Sequence, residues 1–99
     1  MERIYRIVTA AEWESAAKDA EYTPGDLLAG GFVHCCSAPQ VEFVLTKYFP
    51  GQSDLLVLEL DPSAVPAEIR YEPSEPGMPP FPHIYGPIPM SAIVAVRRS

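Results

Sequence analysis

Apolar residues recur along the chain with two different periods, and each period predicts its own kind of element. Residues 3–8 alternate between two faces, which predicts a strand that is covered on both sides. Residues 55–60 are almost continuously apolar, which is typical of a buried central strand, and residues 92–96 predict a second buried strand of this kind. The predicted strands are residues 3–8, 32–35, 55–60, 69–72 and 92–96.

Two capping boxes mark the starts of two helices. Thr9 precedes Glu12 by three residues, and Ser37 precedes Gln40 by the same spacing. They predict helices over residues 10–20 and 38–48, the second with an apolar stripe that ends at Tyr48. A further helical turn at residues 27–29 ends at two glycines, and a short turn is expected near residues 62–66. This order of elements favours an α+β fold, with two main helices packed on a mostly antiparallel sheet.

Length and composition set bounds on the class of protein. With 99 residues and 47% hydrophobic residues, the chain is expected to form a single domain over residues 1–99. No apolar run reaches the roughly 20 residues of a membrane span, so no membrane contact is expected. The net charge is −6, which argues against generic binding of nucleic acid. The two cysteines, Cys35 and Cys36, are adjacent and predict a reduced, cytoplasmic setting; the sequence does not indicate an oligomeric state.

The segment Phe81–Pro89 carries the most distinctive chemistry in the chain. Prolines hold it stiff, and Ile84 separates His83 from Tyr85, so that both rings fall on one face of an extended segment. This arrangement favours part of a binding or catalytic site. The alternative is an edge strand in which prolines block aggregation and the rings pack in the core.

A second group of candidates surrounds His34, which ends a strand just before a capped helix. Free N–H groups at the start of that helix favour an anion near His34, unless the histidine is simply hydrogen-bonded in the core. Cys36 is a candidate nucleophile because a helix N-terminus can lower a thiol pKa, although a small buried cysteine is the commoner case. The spacing of histidines and cysteines does not match usual zinc sites, so no metal is expected. Arg70 is suited to binding a phosphate or carboxylate, or else to pairing with a surface acid.

Several of these residues resemble a known family over nearly the whole chain. They are Gly30-Gly31-Phe32-Val33-His34 with Gln40, Tyr71-Glu72-Pro73, and the Phe-Pro-His-x-Tyr-Gly-Pro block that begins at Phe81. On these motifs the chain resembles the bacterial domain-of-unknown-function 952 family. The resemblance implies a split-sheet fold like that of ADP-ribosyltransferases, with NAD as the expected type of substrate.

The same resemblance implies roles for individual residues. In ADP-ribosyltransferases a strand-borne histidine holds a ribose hydroxyl, and His34 matches it, with Cys36 where those enzymes have serine or threonine. His83 matches the second histidine of the RNA 2′-phosphotransferase branch. Together with His34 and Cys36, the residues expected to bind the nucleotide-like ligand are Ser37, Arg70 and Tyr85. No acidic residue follows His83, so the late catalytic glutamate of many transferases has no counterpart.

Three functional hypotheses remain open from the sequence. In the first, His34 and His83 share acid and base roles on a nucleotide-like or phosphorylated ligand, as in a divergent ADP-ribosyltransferase or phosphotransferase. In the second, the protein binds such a ligand without changing it. In the third, it is an interaction protein whose histidines and tyrosine are core residues. The stiff segment is expected to hold His83 and Tyr85 across a cleft from His34.

Overall fold

The computed structural model describes residues 2–73 and 75–99, and it has an α+β architecture with antiparallel strand pairing. The strands are β1 (Ile4–Thr9), β2 (Glu21–Tyr22), β3 (Val33–His34), β4 (Cys36–Ser37), β5 (Leu55–Leu60), β6 (Ile69–Pro73), β7 (Pro80–Ile84), β8 (Ile88–Pro89) and β9 (Ile93–Arg98). The α-helices are α1 (Ala10–Ala16), α2 (Gly25–Gly30) and α3 (Val41–Tyr48), and short 3₁₀ turns cover Ala38–Gln40, Pro62–Ala64 and Met90–Ala92.

The sheet is split into pieces. A four-stranded sheet has the order β4-β1-β5-β9, a three-stranded sheet has the order β3-β7-β6, and β2 pairs with β8. The chain passes from one large sheet to the other at Cys35, which lies between β3 and β4. The antiparallel pairing confirms the mostly antiparallel sheet that the order of elements predicts. The strand predicted over residues 32–35 is shorter in the structure, where β3 covers only residues 33–34 and β4 follows it in the other sheet.

The core lies between the four-stranded sheet and the remaining elements, and it includes the fully buried Leu58, Val33 and Ile84. β1 is covered on both sides, as predicted, because Ile4 and Val8 pack in this core while Ile7 packs in a second cluster beneath α3. β5 lies between β1 and β9 and confirms the predicted central strand. No helix within residues 2–73 and 75–99 is long and apolar enough to cross a membrane.

Two predicted elements differ from the structure. The helix expected over residues 10–20 ends at Ala16, because the chain turns there to pair Tyr22 with Ile88 and to bury Tyr22 to 1% exposure. The prediction that the C-terminal strand is buried was wrong, because β9 is an edge strand in which Val94 and Val96 are 47% and 41% exposed. The second predicted helix begins as a 3₁₀ turn before α3. The helical turn predicted at residues 27–29 is part of α2, and Gly31, with φ 91°, caps the C-terminus of that helix.

Candidate functional site

A cavity of about 430 Å³ lies where the sheet splits. Its lining comes from β1 and β4 of the four-stranded sheet, β3 and β7 of the three-stranded sheet, and helix α3. Most of the lining is apolar or aromatic, including Tyr5, Tyr48, Phe49 and Phe81. The polar part of the lining includes His34, Cys36 and His83. A flat, largely apolar group would fit this composition, and two imidazoles would stand at its edge.

The two histidines meet because their strands are neighbours. His34 and His83 are directly opposite each other on antiparallel strands, so both side chains lie on one face of the sheet. The residues next to them, Val33 and Ile84, point to the other face and are fully buried in the core. The ring centroids of the histidines are 5.4 Å apart in an edge-to-face arrangement. They are therefore side by side, and the sequence-based expectation that a cleft separates them was wrong.

His83 is oriented by a carboxylate. It is 3% exposed, and its Nδ1 lies 2.9 Å from Glu72 Oε1. The hydroxyl of Tyr85 donates to the same oxygen at 2.5 Å. These hydrogen bonds from Tyr85 and His83 lower the pKa of Glu72 and keep it ionised. Because an ionised carboxylate can only accept, neutral His83 carries its proton on Nδ1.

The other nitrogen of His83 has no partner. Among the described residues, Nε2 is the buried side-chain nitrogen or oxygen without a hydrogen bond. A buried polar atom of this kind costs free energy unless something binds to it. With Nδ1 protonated, Nε2 presents a lone pair, and it can accept a hydrogen bond or a proton from a bound molecule.

His34 has a matching carboxylate partner but a different exposure. Its side chain is 56% exposed, and its Nδ1 lies 2.9 Å from Asp26 Oδ2. Arg6 donates to the same carboxylate oxygen at 2.9 Å, and its own side chain is only 12% exposed. Arg6 is among the residues that line the cavity, but Asp26 already neutralises its guanidinium, so Arg6 is not a free cation for a phosphate.

Phe32 was not singled out from the sequence, and it connects the candidate rings. Its ring centroid is 4.3 Å from that of His83, 4.7 Å from that of His34 and 5.2 Å from that of Tyr85. The ring stacks on His83 and contributes to its burial. The two glycines before Phe32 were a usable signal, because Gly31 with φ 91° reverses the chain and turns Phe32 back toward the sheet.

Cys36 lines the cavity, but it is not an activated thiol. Burial raises the pKa of Cys36 to about 11 and that of Cys35 to about 12. Both thiols are therefore expected to be protonated near neutral pH, which argues against a catalytic thiolate. Ser37 caps the turn that precedes α3, where its N–H donates to Gln40 Oε1 at 2.9 Å. The capping box is thus confirmed, and Ser37 is outside the cavity lining described above.

Arg70 and Tyr85 lie on the same sheet face as the histidines but beyond the cavity lining. Arg70 is directly opposite His83 on β6, and its guanidinium lies 4.5 Å above the ring of Tyr85. Arg70 also donates to both carboxylate oxygens of Glu68, at 2.9 and 3.1 Å. Within residues 2–73 and 75–99, no group of three histidine, cysteine or acidic side chains could hold a metal ion.

Glu72 and Asp26 are the carboxylates that sequence reasoning missed. Glu72 was part of the motif that carried the family resemblance, but no role followed from it. A catalytic acid was expected at a position C-terminal to His83, whereas the acid that contacts His83 comes eleven residues before it. Pairing of β6 with β7, which brings Glu72 near His83, was not predicted because both strands are short and interrupted by prolines.

Comparisons with known proteins place the chain among proteins without an assigned activity. The model of a family described as Protein of unknown function (DUF952) matches residues 7–96. The crystal structure of protein CC0527 from Caulobacter crescentus is 28% identical, with a TM-score of 0.83 over 97% of this chain and 84% of that one. The solution NMR structure of CC0527 is 30% identical, with a TM-score of 0.80 over 97% and 83%. No curated protein matches the chain.

Proposed function

The chain belongs to the domain-of-unknown-function 952 family, and we propose that it binds an NAD-type or 2′-phosphorylated nucleotide at the split of its sheet. A flat ring of the ligand occupies the aromatic cavity, and a ribose hydroxyl meets Nε2 of His34 and His83. The observation that carries the proposal is the buried, unpartnered Nε2 of His83, which Glu72 leaves with a free lone pair. The ADP-ribosyltransferase-like fold belongs to the same proposal, and the split antiparallel sheet supports it.

The charges around the site limit which part of the ligand enters the cavity. Arg6 is held by Asp26 and Glu12, so the cavity itself offers no spare cation for a phosphate. Arg70 lies across β7 from His34, on the same sheet face, and is paired with Glu68. The two side chains of this pair are 51% and 61% exposed, so the pair is weak and a phosphate can replace the carboxylate of Glu68. The ring therefore enters the cavity and the phosphates extend outward to Arg70, next to Tyr85. Cys36 contributes to the cavity wall beside the ring, whereas Ser37 caps the turn before α3 and has no assigned contact with the ligand.

The chemistry that this geometry supports is proton abstraction by His83. Nε2 takes a proton from a hydroxyl or a water molecule while that oxygen forms a bond to ribose C1′. The bond from C1′ to the nicotinamide nitrogen breaks, and nicotinamide leaves with the electron pair as a neutral molecule. The proton on His83 then passes to solvent. His34, whose side chain is 56% exposed, relays this proton from His83 to solvent.

A second candidate function is binding without turnover. It is favoured by the absence of any acidic residue after His83, since the late glutamate of many transferases then has no counterpart. The cavity, the two histidines and the ligand would be the same. Only the chemical step would be missing.

The test is a binding and turnover assay with a small panel of nucleotides. NAD, ADP-ribose and a 2′-phosphorylated nucleotide are titrated by calorimetry against the wild type, His83→Ala and Arg70→Ala, and nicotinamide riboside serves as the control ligand without a phosphate. We expect at least one of the three to bind, His83→Ala to weaken binding at least tenfold, and Arg70→Ala to weaken phosphate-containing ligands about five- to tenfold but not nicotinamide riboside. Absence of binding by all three at millimolar concentration contradicts the proposal. Mass spectrometry after long incubation separates turnover, lost in His83→Ala, from binding alone.

A further inference from the structure

β3 is the edge strand of the three-stranded sheet, and side chains replace its missing neighbour. On one side β3 pairs with β7. On the other side, the N–H of His34 donates to Asp26 Oδ2 at 2.9 Å, and the C=O of His34 accepts from Arg6 Nη1 at 2.9 Å. The backbone groups of His34 therefore point away from β7. His34 and His83 form a non-hydrogen-bonded pair, the type in which side chains of neighbouring strands are closest.

Asp26 also holds the imidazole of His34. Asp26 Oδ2 accepts from the Nδ1 side of the ring at 2.9 Å, in addition to the backbone N–H. Asp26 thus fixes both the backbone and the ring of one residue. Partial burial by itself would raise the pKa of Asp26, but the hydrogen bonds from His34 and the charge of Arg6 outweigh it and keep the pKa well below its usual range.

Arg6 is in turn held in place by Tyr22 and Glu12. Its Nε donates to the hydroxyl of Tyr22 at 2.9 Å, and that hydroxyl donates to Glu12 Oε2 at 3.0 Å. Tyr22 is 1% exposed and belongs to the core. The position of Asp26 is therefore set by a chain of contacts that starts in the core and ends at the cavity.

From this arrangement we propose that Asp26 and Arg6 are positioning residues, which hold His34 in the Nδ1-protonated tautomer so that its Nε2 faces the ligand beside Nε2 of His83. The value of this role for ligand binding rests on the proposed function, whereas the hydrogen bonds that produce it do not. The two histidines then have the same arrangement, because the Nδ1 of each is hydrogen-bonded to a carboxylate and the Nε2 of each is available to a ligand. Two free lone pairs from neighbouring strands can share one ligand hydroxyl or two adjacent hydroxyls of a ribose.

The experiment observes the tautomer directly in the ligand-free protein. Long-range ¹H–¹⁵N correlation spectra of the imidazoles are recorded at about pH 9, above the ordinary titration range of histidine. In the wild type we expect His34 as the Nδ1–H tautomer alone. In Asp26→Asn we expect a mixture of tautomers, and in Asp26→Glu partial return to the wild-type pattern. Asp54→Asn, which removes an exposed aspartate elsewhere, should leave the spectrum unchanged.

Three results would overturn the proposal: the Nε2–H tautomer or a mixture in the wild type, an unchanged tautomer in Asp26→Asn, or the same change in Asp54→Asn. If Asp26→Asn does not fold, the wild-type spectrum and Asp26→Glu still decide the matter. Affinity for NAD, ADP-ribose and a 2′-phosphorylated nucleotide, measured on the same samples, gives a separate result. A wild type with the expected tautomer but no affinity for any of the three contradicts the proposed function and leaves the positioning role intact. Affinity that survives Asp26→Asn unchanged contradicts the positioning role.

Discussion

His34 and His83 stand opposite each other on neighbouring antiparallel strands, and the centroids of their rings are 5.4 Å apart. Each ring contacts a carboxylate through Nδ1, Asp26 in one case and Glu72 in the other. Their environments differ, because His83 is buried under Phe32 whereas the side chain of His34 is 56% exposed. One imidazole is thus shielded and the other communicates with solvent, which suits a division of tasks at one ligand.

Replacing Glu72 should change the titration of Tyr85. The hydrogen bond to Glu72 raises the pKa of Tyr85, because ionising the phenol would place a second negative charge beside the carboxylate. In Glu72→Gln we expect this pKa to fall toward the ordinary value for tyrosine, measured by ¹³C NMR of the labelled tyrosine ring. Glu42→Gln on α3 is the matched control and should have no effect. A pKa of Tyr85 that is unchanged in Glu72→Gln would contradict the shared contact.

His34→Ala should cost little stability, which separates a site residue from a core residue. We expect the free energy of unfolding to fall by less than about 1 kcal/mol, since the ring is more than half exposed. Ile84→Ala is the comparison, because Ile84 is fully buried on the opposite face of the same sheet and should cost about 2–5 kcal/mol. Urea unfolding measures both. A loss of several kcal/mol in His34→Ala would favour the hypothesis that the histidine is structural.

Asp26 should make stability depend on pH in the acid range. Its pKa is lower in the folded protein than in the unfolded chain, where it is about 3.9. The stabilisation is therefore fully present above that value and is lost as pH falls toward the folded pKa. At pH 6 we expect Asp26→Asn to be less stable than wild type by about 1.5–3 kcal/mol, the usual contribution of hydrogen bonds to a charged group.

The measurement is urea unfolding of wild type and Asp26→Asn at pH 6, 4 and 3. The difference between the two should shrink as pH falls, because the wild type alone loses the Asp26 contribution. Other acids that titrate, such as Glu72, are present in both proteins and cancel. A difference that stays constant or widens toward pH 3 would show that Asp26 is not the stabilising carboxylate.

Cys36 should react slowly with alkylating reagents. A pKa of about 11 in place of 9.0 lowers the thiolate fraction at pH 7.5 by roughly 100-fold. In Cys35→Ala, which leaves one thiol, we expect iodoacetamide to modify Cys36 at least about 100-fold more slowly than in the urea-unfolded protein. Mass spectrometry follows the reaction. Equal or faster reaction in the folded protein would restore the catalytic-thiolate hypothesis.

Local patterns predicted some elements well and failed where tertiary context decides. β5 was predicted correctly because a strand buried on both faces leaves a continuous apolar run. β9 has a similar composition, yet it lies at a sheet edge, and hydrophobicity alone cannot distinguish the two positions. α1 ends early because Tyr22 must reach the core, which is a long-range requirement that no capping signal encodes.

The sequence was sufficient to identify the two histidines of the candidate site, but not their contact with each other or their carboxylate partners. Proline spacing and the glycines before Phe32 indicated His83 and His34 as candidates. Their contact depends on the pairing of β3 with β7, and their carboxylates come from two other elements, α2 and β6. The cavity exists because the chain changes sheets at Cys35. The sequence pattern gave no sign of this change, because it predicted one uninterrupted strand over residues 32–35.

The central claim is that one ligand meets both imidazoles, and NMR titration tests it most directly. The ¹⁵N and ¹H resonances of the His34 and His83 rings are followed while NAD, ADP-ribose or a 2′-phosphorylated nucleotide is added to millimolar concentration. The account predicts that at least one ligand shifts both rings together, with the same saturation curve, and that Glu72→Gln weakens this response. Resonances of both histidines that remain unmoved by all three ligands would contradict it.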